Sequence, residues 1–281
     1  MGIVDLGLTV DLREDAAAAQ IRRVSTAFST SLDVAAALRK RRTIGLPSGR
    51  GTWVRIEARP ARQVGGEGWN GVERSAALRD VARPEWYQSM SWRDDDVMWR
   101  ADETALVTAA PINVDFILTA EPRLSDAWWS TLTGSLSALA RHVTGCGAMV
   151  GMRPLTQERV STIVHRAFPD VDATVDEWTT AHGDLSWQNL TAPECVVLDW
   201  EDWGAAPRGY DAANLWHTSL AVPSLAARVY RELRPDLDSR SGLVCQLMRC
   251  AIATMWPAGR GYEPIAEPSR REVPRILAEL A

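Results

Sequence analysis

Lysine is almost missing from this chain: Lys40 is the single one among 281 residues, although arginine is plentiful. Any chemistry that asks for a cation elsewhere must therefore use a guanidinium, which works through a planar fork rather than as a point charge. Cysteine and histidine are sparse as well. Cys146, Cys195, Cys245 and Cys250 form no CxxC pair, and His142, His165, His182 and His217 are scattered. That spacing excludes a structural zinc site and reads as reduced core cysteines rather than a disulfide framework. A basic excess is missing too. The formal net charge is -5, so nucleic acid is not an expected partner. No window reaches the roughly 18 uninterrupted apolar residues of a membrane span. The opening "MGIVDLGLTVDLRED" has no basic start followed by a long apolar run. The expectation is a soluble, cytoplasmic protein with no membrane partner, a monomer or a homodimer. Internal repeats and low-complexity linkers are also lacking.

What is present is apolar material: 46% of the residues are hydrophobic, enough for two lobes of ordinary size. Helical periodicity runs over Asp11–Arg42 and ends in the basic stretch "LRKRRT", after which "IGLPSGRG" breaks any regular element. The strand "TWVRIEARP" alternates about Val54 and Ile56 and stops before Pro60. A Gly-rich connection, "QVGGEGWNG", leads to a short helix, "VERSAALRDVA", with Val72, Ala76, Leu78 and Val81 as its buried face. Strand patterns follow from Trp86 to Ile112, with an acidic turn at Asp94, Asp95 and Asp96 and a last apolar run, "TALVTAAPI". Then the period changes. "SDAWWSTLTGSLSALARHV" reads as an amphipathic helix opened by a Ser or Asp cap, and helices dominate from there on. The thirteen tryptophans are spread along the whole chain, so most are expected in the core.

One segment interrupts the helical part: "AHGDLSWQNLTAPECVVLDWEDWG", Ala181–Gly204, which sets acids against the apolar run "CVVL". A buried strand does not tolerate such acids without partners. If the chain turns back at Ala192-Pro193-Glu194, Asn189 and Asp199 reach the same open end of a hairpin. Two oxygen ligands there suit Mg²⁺, which takes a few protein oxygens and fills its shell with water and phosphate. Asp184, one loop turn away, can face a substrate hydroxyl and accept its proton. His-x-Asp-x4-Asn alone arises by chance in many chains, and a lone Asp211 is most often a helix cap. The ordered conjunction of His182, Gly183, Asp184, Asn189, Asp199-Trp200-Glu201 and Asp211 is what carries weight.

These residues resemble the catalytic core of the aminoglycoside phosphotransferase family, small-molecule kinases of protein-kinase-like fold. The resemblance implies an α+β, bilobal chain with a small strand-rich N-terminal nucleotide-binding lobe, residues 1–111. A larger helical catalytic and substrate-binding lobe, residues 112–281, follows it. It implies Asp184 as catalytic acid/base, Asn189 and Asp199 as metal ligands, His182 as a brace of the loop and Asp211 as its structural tie. Glu201 is a further candidate, for a second metal or only for hydrogen bonding in the loop.

A nucleotide-binding lobe needs a loop whose N–H groups approach phosphates, a cation on the next strand and an acid to position it. "LPSGRGTWVRIE" offers Ser48, Gly49 and Gly51 for the loop and Arg55 for the cation, and Glu73 is the expected partner of Arg55. The loop is not a GxGxxG, and Arg55 stands where a lysine is usual. A lone arginine on such a strand is otherwise a solvated side chain, and Glu73 an ordinary first-turn acid. "TALVTAAPI" takes the place of the family's inter-lobe hinge, with the backbone near Ala109 and Ala110 facing the purine.

The implied function is transfer of the γ-phosphate of ATP or GTP, with Mg²⁺, to a hydroxyl of a small molecule. The acceptor expected is an antibiotic of aminoglycoside, nucleoside, peptide or macrolide type, giving resistance or self-resistance. Asp211, Glu232, Asp236, Asp238, Glu263 and Glu267 stand among as many arginines, so a solvated mixed surface explains them as well as a cationic acceptor does. Two alternatives stay open: a metabolic kinase of choline, homoserine or a sugar on the same fold, and a nucleotide-binding pseudokinase without catalysis.

Overall fold

The computed structural model of the chain describes residues 10–64, 69–151, 153–255 and 261–281. It divides into two compact units, Met1–Ala76 with Pro84–Thr108, and Ala77–Arg83 with Ala109–Ala281. Residues 65–68 of the expected Gly-rich connection "QVGGEGWNG" lie outside the described residues, as does the start of the chain.

The first unit opens with α1 (Ala18–Ala27), followed by β1 (Leu38–Arg39), β2 (Thr43–Pro47) and β3 (Thr52–Pro60). After α2 (Gly71–Arg74) come β4 (Trp86–Asp94) and β5 (Val97–Ala105). The strands make one antiparallel sheet in the order β1-β2-β3-β5-β4. Period-2 alternation decides what each face carries. On β3, Val54, Ile56 and Ala58 are buried among Ile44, Leu46, Trp99 and Ala101, where Ile21, Val24 and Phe28 of α1 and its end join the same core. The residues between them on β3, Arg55, Glu57 and Arg59, belong to the other face.

Three expectations need correction here. The helix read over Asp11–Arg42 is confined to α1, because the chain folds back on the last turn of the helix instead of continuing it. Ser25 Oγ donates to the Thr30 carbonyl at 2.6 Å, and Ser29 takes φ 51°. Leu38 and Arg39 of the "LRKRRT" stretch then pair with Gly45 and Ile44. The helix "VERSAALRDVA" is a single turn, α2, continued by a 3₁₀ turn at Ser75–Ala77. Of its expected buried face only Leu78 is buried; Ala76 is exposed, and Asp80 reverses the chain at φ 57°. Finally, "TALVTAAPI" is not one strand, since β5 stops at Ala105 and pairing resumes in a different sheet. The acidic turn does join β4 to β5, with Asp95 at φ 51°.

Among the described residues the second unit contains three two-stranded sheets and most of the helices. Its elements are β6 (Ala110–Pro111), α3 (Asp126–Arg141), β7 (Met149–Val150), β8 (Arg153–Pro154), α4 (Gln157–His165), β9 (Trp178–Ala181), β10 (Thr191–Ala192) and β11 (Gly204–Pro207). α5 (Tyr210–Thr218), α6 (Pro223–Glu232), α7 (Arg234–Leu237), α8 (Arg240–Met255) and α9 (Glu263–Leu280) complete it. β6 pairs with β10, β9 with β11 and β7 with β8, all antiparallel. Ser125 caps α3 by accepting the Trp128 N–H at 3.2 Å. Trp128, Trp129 and Trp187 then meet face and edge, with centroids 5.0–6.2 Å apart. Every residue of α5 is buried and α8 is buried along most of its length, so these two helices form the centre on which the catalytic-type loop rests. Cys195, Cys245 and Cys250 are buried free thiols. No helix among the described residues is long and apolar enough to cross a membrane.

Candidate active site

The expected hairpin is present in the second unit. Leu190 and Val197 bridge antiparallel, Thr191 N–H donates to the Val196 carbonyl at 3.2 Å, and Leu198 N–H to the Asn189 carbonyl at 2.8 Å. The last bond sets Asp199 beside Asn189. Asp199 turns the chain in the left-handed region, φ 63°. On the other side the loop from β9 bends at Gly183, φ 87°, where a Cβ would come 2.6 Å from the Asp202 carbonyl oxygen. Only glycine fits that approach.

Five of the residues singled out above come together in this unit. Asn189 donates both amide hydrogens to Asp184, to its backbone oxygen at 2.8 Å and to Oδ2 at 3.1 Å. This leaves the Asn189 carbonyl oxygen as its remaining ligating atom. His182 is fully buried. Its Nε2–H donates to the Leu198 carbonyl at 2.8 Å, its Nδ1 accepts the Asp184 N–H at 3.3 Å, and its ring meets Trp200 edge-on at 4.7 Å. Burial lowers its pKa, so the neutral ring that these two bonds require is the form held. Asp211, in the first turn of α5, accepts the N–H groups of His182 and Gly183. Asn214, one turn further along, donates to the Leu185 carbonyl at 2.7 Å.

Burial pushes the Asp184 carboxyl up to about 6, with repulsion from Asp199 and Glu201 acting the same way, against Arg249 and the Asn189 hydrogen bond. Acids that raise the pKa of a buried carboxyl mark a place where a cation would be welcome. Asn189 and Asp199 fit a hard divalent ion: one amide oxygen and one carboxylate, adjacent, with Asp184 and Glu201 supplying further negative charge. Among the described residues no group of three or more His, Cys, Asp and Glu is arranged to hold a metal, which a Mg²⁺ site completed by phosphate and water does not need.

The first-unit residues have structural partners of their own. Ser48, Gly49 and Gly51 form the β2–β3 turn: Ser48 Oγ lies 2.5 Å from Thr52 Oγ1, Gly51 has φ 73°, and a Cβ on Gly49 would strike Ser31 Oγ at 2.3 Å. Arg50 from the same turn reaches the buried Glu103 carboxylate at 2.7 Å. The expected Arg55–Glu73 pair is not formed. Glu73 Oε2 meets Arg100 Nη2 at 2.9 Å, and Arg55 meets Glu57 at 3.2 Å. Register is the reason. α2 leads into β4, and Ser89 of β4 donates to Glu73 at 3.4 Å, opposite Asp102 of β5. Glu73 therefore faces β5, where Arg100 also binds Asp102 at 2.8 Å, rather than β3. Ala110 pairs with Ala192 in the β6–β10 ladder and is exposed.

Sequence reasoning missed Arg100, Asn214 and Arg249. Arg249 had a signal: a charge in "LVCQLMRCAIA", an otherwise apolar stretch of α8. In the structure it is buried, packs over the Tyr210 ring and acts on Asp184 through its charge.

The fold is that of the aminoglycoside-phosphotransferase-like kinases. Aminoglycoside phosphotransferase APH(4)-Ia superposes with a TM-score of 0.58 at 13% identity, over 95% of this chain and 100% of that one. A microcompartment-associated aminopropanol kinase matches with 0.54 at 16% identity, over 94% and 99%. Amicoumacin kinase, in a complex with AMP-PNP, Ca²⁺ and Ami, matches with 0.51 at 10% identity, over 84% and 86%. No family model and no curated protein matches the sequence. At these identities the likeness shows the fold.

Proposed function

We propose that the chain is a small-molecule O-phosphotransferase that moves the γ-phosphoryl group of ATP or GTP to a hydroxyl, with an antibiotic as the acceptor class. The observation that carries this reading is Asp184, a carboxylate lifted to about 6 and held by Asn189 beside Asp199. A base poised near neutrality can take a hydroxyl proton while still being ionised enough to act. Asp184 orients the acceptor hydroxyl and accepts its proton at a carboxylate oxygen; Asn189 fixes the direction of that carboxylate. Neutral His182 and the Asp211 carboxyl, which accepts two backbone N–H groups, hold the loop still, so the geometry is set before reaction rather than during it. Asn189 and Asp199 would hold Mg²⁺, which supplies charge neutralisation on the phosphates.

Donor recognition is assigned to Ser48, Gly49, Gly51, Arg55, Glu73 and Ala110, with Arg100 added as the arginine that positions Glu73. Support for an antibiotic acceptor comes from the antibiotic kinases of the same fold. The aminopropanol kinase favours a second reading, a metabolic kinase of a small alcohol. The test is incubation with ATP or GTP, Mg²⁺ and a panel of hydroxyl-bearing antibiotics and amino alcohols, with products weighed by mass spectrometry. Phosphorylated product that vanishes in Asp184→Asn supports the assignment. Nucleotide binding without any acceptor-dependent product would make the chain a pseudokinase.

A further inference from the structure

A cavity of about 170 Å³ opens beside Asp184, lined also by Phe116, Asp202, Tyr210, Arg249 and Tyr262. Arg249 is its unusual member. The residue is only 8% exposed. A guanidinium offers five donors in a planar fork. Among the described residues it spends one of those donors, from Nη2 to the Tyr210 hydroxyl at 3.3 Å, and its Nε has no partner. The ring of Tyr210 lies 5.1 Å beneath it.

A bland reading is available: the cation is there to offset the acids around it. The bonding argues against that as its whole purpose. Asp211 is satisfied by two backbone N–H groups and Asp184 by Asn189, and neither carboxylate is in ion-pair contact with Arg249. A buried charge with unspent donors is costly to keep unless something occupies them. A partner for its Nη groups can come from the cavity that Arg249 lines, next to the carboxylate that receives the hydroxyl proton.

We infer that this cavity is the acceptor site and that Arg249 is its anion-recognising residue: the acceptor bears a carboxylate close to the hydroxyl that is phosphorylated. This rests on the phosphotransferase reading above and narrows it. An anionic acceptor would be repelled by Asp184, Asp199 and Glu201 unless a cation stood by, and Arg249 is that cation. A polycationic acceptor would instead meet a fixed like charge inside the cavity. Phe116 and Tyr262, with ring centroids 5.9 Å apart, provide apolar wall for the carbon skeleton between the two polar groups.

Matched probes test this with the full-length protein and AMP-PNP present: glycerate, L-serine, L-threonine and L-homoserine, each against its primary amide, together with aminopropanol. Calorimetry reads binding, and mass spectrometry with ATP reads transfer. The expected result is that at least one carboxylate binds ~10-fold or more tightly than its amide, a gap that closes in Arg249→Met and is partly kept in Arg249→Lys. Should Arg249→Met fail to fold, as shown by its circular dichroism and melting, the wild-type comparison of acid with amide still decides. Equal binding of acid and amide, preference for the cationic alcohol, or no binding of any carboxylate at millimolar concentration overturns the inference. Transfer to aminopropanol or an aminoglycoside without preference for a carboxylate overturns it while leaving the phosphotransferase reading intact. Selective carboxylate binding with no transfer to any acceptor upholds the anion site and counts against that reading instead.

Discussion

Asp211 accepts the backbone N–H of His182 at 2.6 Å on one carboxylate oxygen, and its other oxygen takes the next N–H, that of Gly183, at 3.0 Å. One side chain at the start of a buried helix thus clamps the two residues that precede Asp184. Burial raises the Asp211 pKa, and the two N–H bonds with the neighbouring His182 and Arg249 act against it.

Removing that clamp leaves two buried donors without acceptors. Asp211→Ala should destabilise the protein by about 1–3 kcal/mol for each unpaired N–H. Asp211→Asn should cost less, because its one amide oxygen still serves one donor while its NH₂ confronts the other. Urea unfolding at neutral pH ranks the three proteins. If the Ala variant is as stable as wild type, the clamp carries no stability and its role in holding the loop is lost with it.

Asp184 should behave in the opposite way. Asp184→Asn is expected to lower turnover by about 10²–10⁴-fold, the contribution of a positioned base, with nucleotide affinity nearly unchanged. The same change should stabilise the protein when no divalent cation is added. The folded carboxyl stands near 6, above its ordinary value, so the folded state binds the proton more tightly than the unfolded chain does. Ionisation above that pH works against folding, by about 1–3 kcal/mol, and the effect fades as the pH falls from 6 toward 4. Loss of turnover without this gain would mean that Asp184 is less buried than its surroundings indicate.

Arg100 and Arg55 separate stability from donor recognition. Arg100 is buried between Asp102 and Glu73, so Arg100→Ala strands a buried carboxylate and should cost about 3–5 kcal/mol. Arg55 is more open, with 20% of its side chain exposed, and its Ala variant should lose no more than about 1 kcal/mol. The informative readout for Arg55 is the nucleotide KM. A KM and kcat equal to wild type would remove Arg55 from the donor site and leave Arg100 as the arginine to examine.

The parts legible in the sequence are those written into local spacing. His182, Asp184, Asn189 and Asp199 lie within 18 residues, so one hairpin brings them together. Its turn chemistry and apolar run are visible in "LTAPECVVL". The alternation of Val54 and Ile56 with charged residues likewise specifies β3 and its two faces. What was not legible depends on which strand comes to lie beside which. Glu73 chooses Arg100 over Arg55 because α2 leads into β4, and β4 neighbours β5. Nothing within either strand records that choice. The overlong first helix has a different cause: helical periodicity in "SLDVAAALRK" yielded to pairing with β2, a tertiary contact that overrides propensity.

The response to acid should expose one further residue, His217. Its Nε2–H points to Ser269 Oγ at 3.0 Å, the Ser269 hydroxyl passes its own hydrogen to the Ile265 carbonyl at 2.6 Å, and Nδ1 is buried with no partner among the described residues. Burial, with the Arg249 charge behind it, lowers the His217 pKa to about 3. Above the ordinary histidine pKa of about 6.5 the ring is neutral whether the chain is folded or not, and no pH dependence arises. Between 6.5 and 3 the unfolded chain takes up a proton that the folded ring refuses, so stability declines by about 1.4 kcal/mol per pH unit over that window. At pH 4.5 the loss from this one residue should be about 2–3 kcal/mol. His217→Gln keeps a donor for Ser269 and cannot titrate. Its urea midpoint should therefore fall less than that of wild type between pH 7.5 and 4.5, although His182, also buried and neutral, acts equally in both proteins. Parallel decline of the two midpoints would show that the His217 ring is reached by water in the folded state.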